Sequence, residues 1–289
     1  MGLESLVIAV DNTIDNYAVM GNPVAHSKSP LIHQAFALQT SQSIRYQAIL
    51  VPLDGFTNAV HAFCAAGGKG LNITVPFKEE AWRLAVRRTP RAELAGAVNT
   101  LRFSLSGEIE GDNTDGTGLL RDLERNDVGL NDRRILILGA GGAVRGVIGP
   151  LMEKHPARLV IANRTISRAE TLRSQFNQFK QLSICPLTDL ATFSSFDLII
   201  NATSSGLHGE LPPLPTSLIG PQTCCYDMVY GDVEPVFVRW AKQQKAQLAL
   251  DGLGMLVEQA AESFYVWRGV RPATTPVIRM LREKLTASS

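Results

Sequence analysis

The five residues Arg134-Ile135-Leu136-Ile137-Leu138 run directly into Gly139-Ala140-Gly141-Gly142-Ala143, and residues 144–152 can continue as a helix. A short, continuous apolar run suits a strand buried on both faces. A buried strand, a glycine turn and a helix start together form a unit that cradles phosphate. Glycines let the backbone turn sharply and approach a pyrophosphate, while free N–H groups and the helix dipole favour its charge. The segment therefore predicts a dinucleotide site built on Gly139, Ala140, Gly141, Gly142 and Ala143. One position departs from the usual fingerprint: its third small residue falls on Val144, which predicts a helix sitting slightly further from the strand.

The next apolar run, residues 158–162, bears on which dinucleotide is bound. A site for NAD usually ends this strand on Asp or Glu, which bonds the ribose 2′-hydroxyl. Here Asn163 stands at that place, followed by Arg164, Thr165, Ile166, Ser167 and Arg168. A carboxylate would repel a 2′-phosphate, whereas guanidinium groups bind one bidentately. NADP is the expected cofactor; the alternative is a solvated turn with ordinary surface arginines.

A chain of 289 residues has room for two domains that each bury a core. A formal net charge of +1 gives no reason to expect nucleic acid or an anionic membrane as partner. No apolar run approaches the ~20 residues of a membrane helix. Residues 1–13 carry Glu4 and Asp11 around a short apolar stretch at 6–10, unlike a signal peptide. Cys64, Cys185, Cys224 and Cys225 form no C-x-x-C pair, and no histidine stands at zinc spacing, so no metal is expected. A cytoplasmic location is the expectation.

Strand-like and helical stretches alternate, which argues α/β with parallel sheet. Strands are expected at 17–20, 45–51, 70–74 and 99–103, with helices at 30–39, 56–66 and 76–87. The Gly- and Asp-rich segment 111–118 breaks the pattern. A helix at 119–126 follows, then strands at 135–138, 159–162, 198–201 and 225–229. From 254 onward two helical pieces are separated by a break at 273–276.

Three further constellations carry chemistry. In Gly70-Leu71-Asn72-Ile73-Thr74-Val75-Pro76-Phe77-Lys78 a strand leads into a helix that Pro76 is suited to open. A cation in a first helical turn is disfavoured by roughly 0.3–1 kcal/mol. Lys78 is either a proton-exchanging group or a solvated lysine balanced by Glu79 and Glu80. The run Gly111-Asp112-Asn113-Thr114-Asp115-Gly116-Thr117-Gly118 fails as a calcium loop, because Gly111 falls where the first acidic ligand belongs. Asp115 or Thr117 as a helix cap is the plain alternative. Near the amino terminus Ser27, Lys28 and Ser29 precede a helix opened by Pro30, a start that suits a small carboxylate unless Ser29 is only a cap.

Taken together, these segments resemble the shikimate dehydrogenase family. The matching stretches are Ser27-Lys28-Ser29-Pro30, residues 72–78, Ala95-Gly96-Ala97-Val98-Asn99-Thr100, residues 111–116, 139–143, 163–168, 201–206 and 251–259. They occur in order across nearly the whole chain. The resemblance implies two α/β domains: a substrate domain over 1–114, to which 252–289 return, and a Rossmann-like NADP domain over 115–251. It implies a Lys78–Asp115 acid–base pair in an NADP-dependent enzyme that interconverts 3-dehydroshikimate and shikimate. Matches to Ser27, Lys28 and Ser29 would hold the substrate carboxylate. Thr74, Asn99, Asp115, Tyr230 and Gln259 would hold carboxylate or ring hydroxyls, and Met228 and Gly252 would lie beside the nicotinamide. A homodimer is left open. Two features depart from the family: the basic run Arg87-Arg88-Thr89-Pro90-Arg91, and residues 1–16, which extend beyond the usual start. The rivals are a quinate/shikimate dehydrogenase with relaxed choice of substrate or cofactor, and a catalytically silent NADP sensor.

Overall fold

The computed structural model describes residues 14–104, 106–203 and 210–287. The first half contains β1 (Asp15–Gly21), α1 (Ser29–Thr40), β2 (Ile44–Leu50), α2 (Phe56–Ala65), β3 (Gly68–Ile73) and α3 (Lys78–Leu84). It continues with β4 (Arg87–Arg88), α4 (Pro90–Ala95), β5 (Thr100–Phe103), β6 (Ile109–Asp112) and α5 (Asp115–Arg125). These strands form one sheet in the order β2-β1-β3-β5-β6-β4. β1 pairs in parallel with β2 and β3, but β5 runs antiparallel to both β3 and β6, so this sheet is mixed.

The second sheet is built from β7 (Arg134–Leu138), β8 (Arg158–Asn163), β9 (Leu182–Pro186), β10 (Phe196–Asn201), β11 (Ile219–Asp227) and β12 (Leu248–Leu250). Its order is β12-β11-β10-β7-β8-β9, and every pairing is parallel. Helices α6 (Gly142–Glu153), α7 (Ile166–Gln175) and α8 (Val236–Gln243) connect its strands. The central strand β7 is buried from Ile135 to Leu138 on both faces, as its unbroken apolar run requires. Strand order reverses between β7 and β10, and the glycine turn opens at that crevice, where open α/β sheets bind ligands.

Helix α9 (Leu253–Arg268) and helix α10 (Thr275–Ala287) follow. Leu253, Val257, Ala260, Ala261 and Phe264 recur at helical spacing on α9 and pack with Ile32 and Phe36 of α1 and with Val277 and Leu281 of α10. Each large apolar side chain so buried contributes roughly 1.5–3 kcal/mol. α9 ends at Gly269, whose φ of 68° is left-handed and whose N–H bonds Tyr265 O at 2.8 Å. The carboxy-terminal helices thus share a core with the amino-terminal α1.

Helix α5 lies between α6 and α9 at distances that admit no side chain at two positions. A Cβ on Gly116 would stand 2.3 Å from Pro150 Cγ and 2.4 Å from Gly146 O; one on Gly118 would stand 2.7 Å from Gln259 Cβ. The glycine-rich segment therefore does not break the pattern as expected from its composition. It holds the end of β6 and the start of α5, and Gly116 and Gly118 mark close helix approach.

Other expectations need correction. Pro76 does not open α3; it lies in the turn before it, where Phe77 N–H bonds Thr74 O at 3.1 Å, and the helix starts at Lys78. The break near the carboxy terminus falls earlier, at 269–274, and Pro276 lies within α10. Val144 is fully buried in the core of the second sheet, and the tight spot on α6 is Gly146, where a Cβ would stand 2.7 Å from Asn113 Oδ1 and 3.1 Å from Asp115 Cβ. Cys185, Cys224 and Cys225 are buried and Cys64 half-buried, all as free thiols. No helix among the described residues is long and apolar enough to cross a membrane. The stretch 1–13 and the last three residues of the 201–206 motif lie outside the described residues.

Candidate active site

A cleft of about 490 Å³ opens between loops of the first sheet, the 228–230 and 252 loops of the second, and α9. Ser27, Ser29, Thr74, Lys78, Asn99, Asp115, Met228, Tyr230, Gly252 and Gln259 all line it. Residues spread over more than 230 positions of sequence are thus brought to one surface. Lys28 is not among the lining residues; it stands at the position before α1 without capping it, and Ser29 N–H reaches Ser27 Oγ at 3.3 Å. Ser29 is the first helical residue and not the cap.

Lys78 is held at the start of α3 by the turn that follows β3, and Asp115 opens α5. Lys78 Nζ donates to Asp115 Oδ2 at 2.5 Å, with side chains 18% and 8% exposed. The pair is nearly closed off from water, where an ionic hydrogen bond is stronger than on a surface. The other carboxylate oxygen, Oδ1, accepts from Asn99 Nδ2 at 2.7 Å. Asn99 is itself fixed: its Oδ1 accepts from Thr114 N–H at 2.8 Å and Thr100 Oγ1 at 2.9 Å, and its Nδ2 also reaches Gln259 Oε1 at 3.3 Å. The capping alternative for Asp115 and Thr117 does not hold. The cap position is Thr114, the Asp115 carboxylate faces Lys78 and Asn99, and Thr117 Oγ1 accepts from Arg91. Burial raises the Tyr230 phenol above its ordinary value, so it stays a hydroxyl near neutral pH.

Two polar cleft residues, Asn72 and His26, carry no site role in the sequence reading. Asn72 lies two positions before Thr74, and strand alternation puts both on one face; that spacing was the available signal. Its Nδ2 donates to Ser263 Oγ at 2.9 Å and its Oδ1 accepts from Tyr46 at 2.7 Å. His26 also lines the cleft, and no local pattern marks it.

The glycine turn and the 163–168 turn stand at the ends of the adjacent strands β7 and β8. Gly139 has φ of 106°, and a Cβ there would meet Ala202 O at 3.0 Å, so both conformation and space call for glycine. Gly141 and Gly142 are exposed, and a Cβ on either would meet no described atom within 4 Å. No side chain caps α6, and its first turn carries no acid, which leaves N–H groups facing an open surface. Asn163 turns its amide inward to Thr165 O at 2.7 Å. Arg164 and Arg168 are exposed, and among the described residues their guanidiniums make no hydrogen bond or ion pair. An uncapped helix start beside two uncommitted guanidiniums, with no carboxylate in the turn, fits a dinucleotide bearing an additional phosphate.

The basic run 87–91 is committed to the protein itself. Arg87 pairs with Glu108 at 3.2 Å, Arg88 with Glu93 at 2.5 Å, and Arg91 with Asp112 at 2.6 Å. No group of three or more His, Cys, Asp or Glu side chains among the described residues is arranged to hold a metal.

Comparison with known proteins matches three family profiles along the chain. They are the shikimate dehydrogenase substrate binding domain over residues 19–101, shikimate / quinate 5-dehydrogenase over 122–208, and the shikimate 5′-dehydrogenase C-terminal domain over 252–282. The shikimate dehydrogenase (NADP(+)) of Alkalilimnicola ehrlichii is 60% identical over 269 residues, covering 93% of this chain and 98% of that protein. The crystal structure of an Ael1 enzyme from Pseudomonas putida superposes with a TM-score of 0.86 at 48% identity, covering 92% of this chain and 98% of its own. The shikimate 5-dehydrogenase of Thermus thermophilus, solved with NADP(H) and shikimate, gives a TM-score of 0.84 at 32% identity, with 93% and 99% covered.

Proposed function

The chain belongs to the shikimate dehydrogenase family, and from that premise we propose that it reversibly reduces 3-dehydroshikimate to shikimate with NADPH, a step toward chorismate and the aromatic amino acids. The observation that carries this reading is the single cleft that joins the Lys78–Asp115 pair to Ser27, Ser29, Thr74, Asn99, Tyr230 and Gln259. We draw the substrate domain over 1–114 with 252–289, and the cofactor domain over 115–251. The shared core of α1, α9 and α10 supports that division.

When bound, NADPH supplies the hydride that reduces the ketone at the carbon bearing the 3-hydroxyl of shikimate. Gly139, Ala140, Gly141, Gly142 and Ala143 would hold its pyrophosphate and Asn163 to Arg168 its 2′-phosphate, with Met228 and Gly252 on the nicotinamide side of the cleft. As the ketone is reduced, negative charge grows on its oxygen. Lys78 donates to that oxygen a proton or a charge-assisted hydrogen bond, and Asp115 fixes the direction of its ammonium. Ser27 and Ser29 hold the substrate carboxylate, while Thr74, Asn99, Tyr230 and Gln259 orient the ring hydroxyls. Lys28, outside the cleft lining, is left out of this set. A cytoplasmic location accompanies this reading, and a homodimer is compatible with it.

The test is spectrophotometric: purified protein with shikimate or quinate, each with NADP or NAD. Oxidation of shikimate with NADP well above the other three combinations is expected. Comparable rates with quinate or NAD would favour the relaxed enzyme, and NADP binding without oxidation would leave a sensor.

A further inference from the structure

The arginines of the basic run are not equivalent. Arg87 and Arg88 pair with surface acids, and Arg88 also lies over the Trp82 ring at 4.5 Å. Arg91 instead points inward from α4 and spreads its guanidinium over three other elements. Nε and Nη2 grip Asp112 of β6 at 2.7 and 2.6 Å, Nη1 donates to Thr117 Oγ1 of α5 at 2.8 Å, and Nη2 reaches Glu262 Oε1 of α9 at 3.1 Å.

Each acceptor is one short step from the cleft. Asp112 Oδ1 also takes the Asn113 N–H at 2.7 Å, and Asn113 Oδ1 takes the Asp115 N–H at 3.1 Å. Thr117 lies in the same first turn of α5 as Asp115. Glu262 lies three residues after Gln259 on α9, hence on the same helix face. Arg121 and Arg271 hold the other oxygen of Glu262 at 2.8 and 2.9 Å. Burial opposes ionisation of Asp112, but the Arg91 hydrogen bonds and charge, helped by Thr89 and the Asn113 N–H, outweigh it and hold the carboxyl below its ordinary value. Burial likewise opposes ionisation of Glu262, and Arg121, Arg271 and Arg91 reverse it. The network is therefore charged across the neutral range.

We propose that Arg91 is a positioning residue for the reaction: its planar fork fixes the start of α5 against α9 and so sets Asp115 opposite Lys78 and Gln259 beside Asn99. This rests on the function proposed above. Arg91 does not line the cleft and acts only through these neighbours. Lysine is no substitute, because one ammonium cannot reach Asp112, Thr117 and Glu262 in three directions.

The test is Arg91→Lys, with kcat and KM for shikimate, NADP affinity by fluorescence titration, and Tm. The expected result is a kcat at least tenfold lower with the NADP Kd within twofold of wild type, since no contact of Arg91 involves the glycine turn or the 163–168 turn. A folded variant with wild-type kcat and KM, whatever its Tm, would overturn the proposal and leave Arg91 a purely structural residue. Should Arg91→Lys fail to fold, Thr117→Val removes a single arm of the fork without uncovering Asp112. A kcat loss of threefold or more supports the proposal, and an unchanged kcat refutes it. A wild-type protein that binds NADP but does not oxidise shikimate sinks the functional reading and this inference with it, which is distinct from an active wild type with indifferent variants.

Discussion

Asn99 donates to Oδ1 of Asp115 at 2.7 Å, the carboxylate oxygen opposite the one that Lys78 holds. The carboxylate is therefore anchored independently of the lysine. Replacing Lys78 by Met should leave Asp115 in place and remove only the group that we propose faces the developing oxyanion. We expect kcat to fall by about 10²–10⁴, the usual contribution of a positioned acid or base. Shikimate affinity should change little, because Ser27, Ser29 and Thr74 are untouched. Steady-state kinetics with a binding titration check this, and near-normal turnover would remove Lys78 from the mechanism.

Arg164 is exposed at the turn that follows β8, and its guanidinium has no partner among the described residues. Its replacement by Ala should cost the protein little stability, since no contact is lost. A hydrogen bond to a charged group contributes about 1.5–3 kcal/mol. NADP binding should therefore weaken by roughly tenfold to a hundredfold, and NAD binding much less. Equal losses for the two cofactors would mean that this turn does not read the 2′-phosphate.

What the sequence made legible is local, and what it concealed is long-range. The apolar run ending at Leu138 and the glycines after it announce β7, the turn and α6, because backbone conformation and burial are written in adjacent residues. The six-residue α4 is too short to show helical period, and the two-residue β4 shows none at all. Segment 111–118 reads as a break because Gly and Asp are poor helix formers. Gly116 and Gly118 answer instead to Pro150 and Gln259, which lie further along the chain. The run 87–91 departs from the family in being basic where relatives often carry acids, and nothing near Arg91 in sequence reveals its partner Glu262, 171 residues away.

The same packing supplies a stability prediction at Gly116. Alanine would gain about 1 kcal/mol of helix propensity at an open position. Here its Cβ would lie 2.4 Å from the Gly146 carbonyl oxygen and 2.3 Å from Pro150 Cγ, and neither backbone nor ring can turn away. Overpacking of this kind costs about 1–3 kcal/mol or more, so the net effect should be destabilising. Because Asp115 precedes it, kcat should fall as well. A urea midpoint equal to or above that of wild type would show that α5 can shift freely.

Asp227 supplies a pH dependence of opposite sign to an arginine-paired carboxylate such as Asp112. It ends β11, fully buried, and accepts from Val229 N–H at 3.0 Å and Asn201 Nδ2 at 3.2 Å. Burial outweighs these two donors, with Asp251 adding to it, and raises its pKa from 3.8 to about 6. A folded pKa above the unfolded one means that the native state binds this proton more tightly. The group therefore destabilises the fold increasingly as pH rises from near 4 to 6, with the penalty fully present above that range. Between pH 5 and pH 7 this amounts to roughly 1 kcal/mol, at about 1.36 kcal/mol per pKa unit. Denaturation series at both pH values, on wild type and on Asp227→Asn, isolate the contribution. Wild type should lose stability relative to the variant on going to pH 7. A difference that is constant between the two pH values would mean that Asp227 ionises in the folded protein as it does in the unfolded chain.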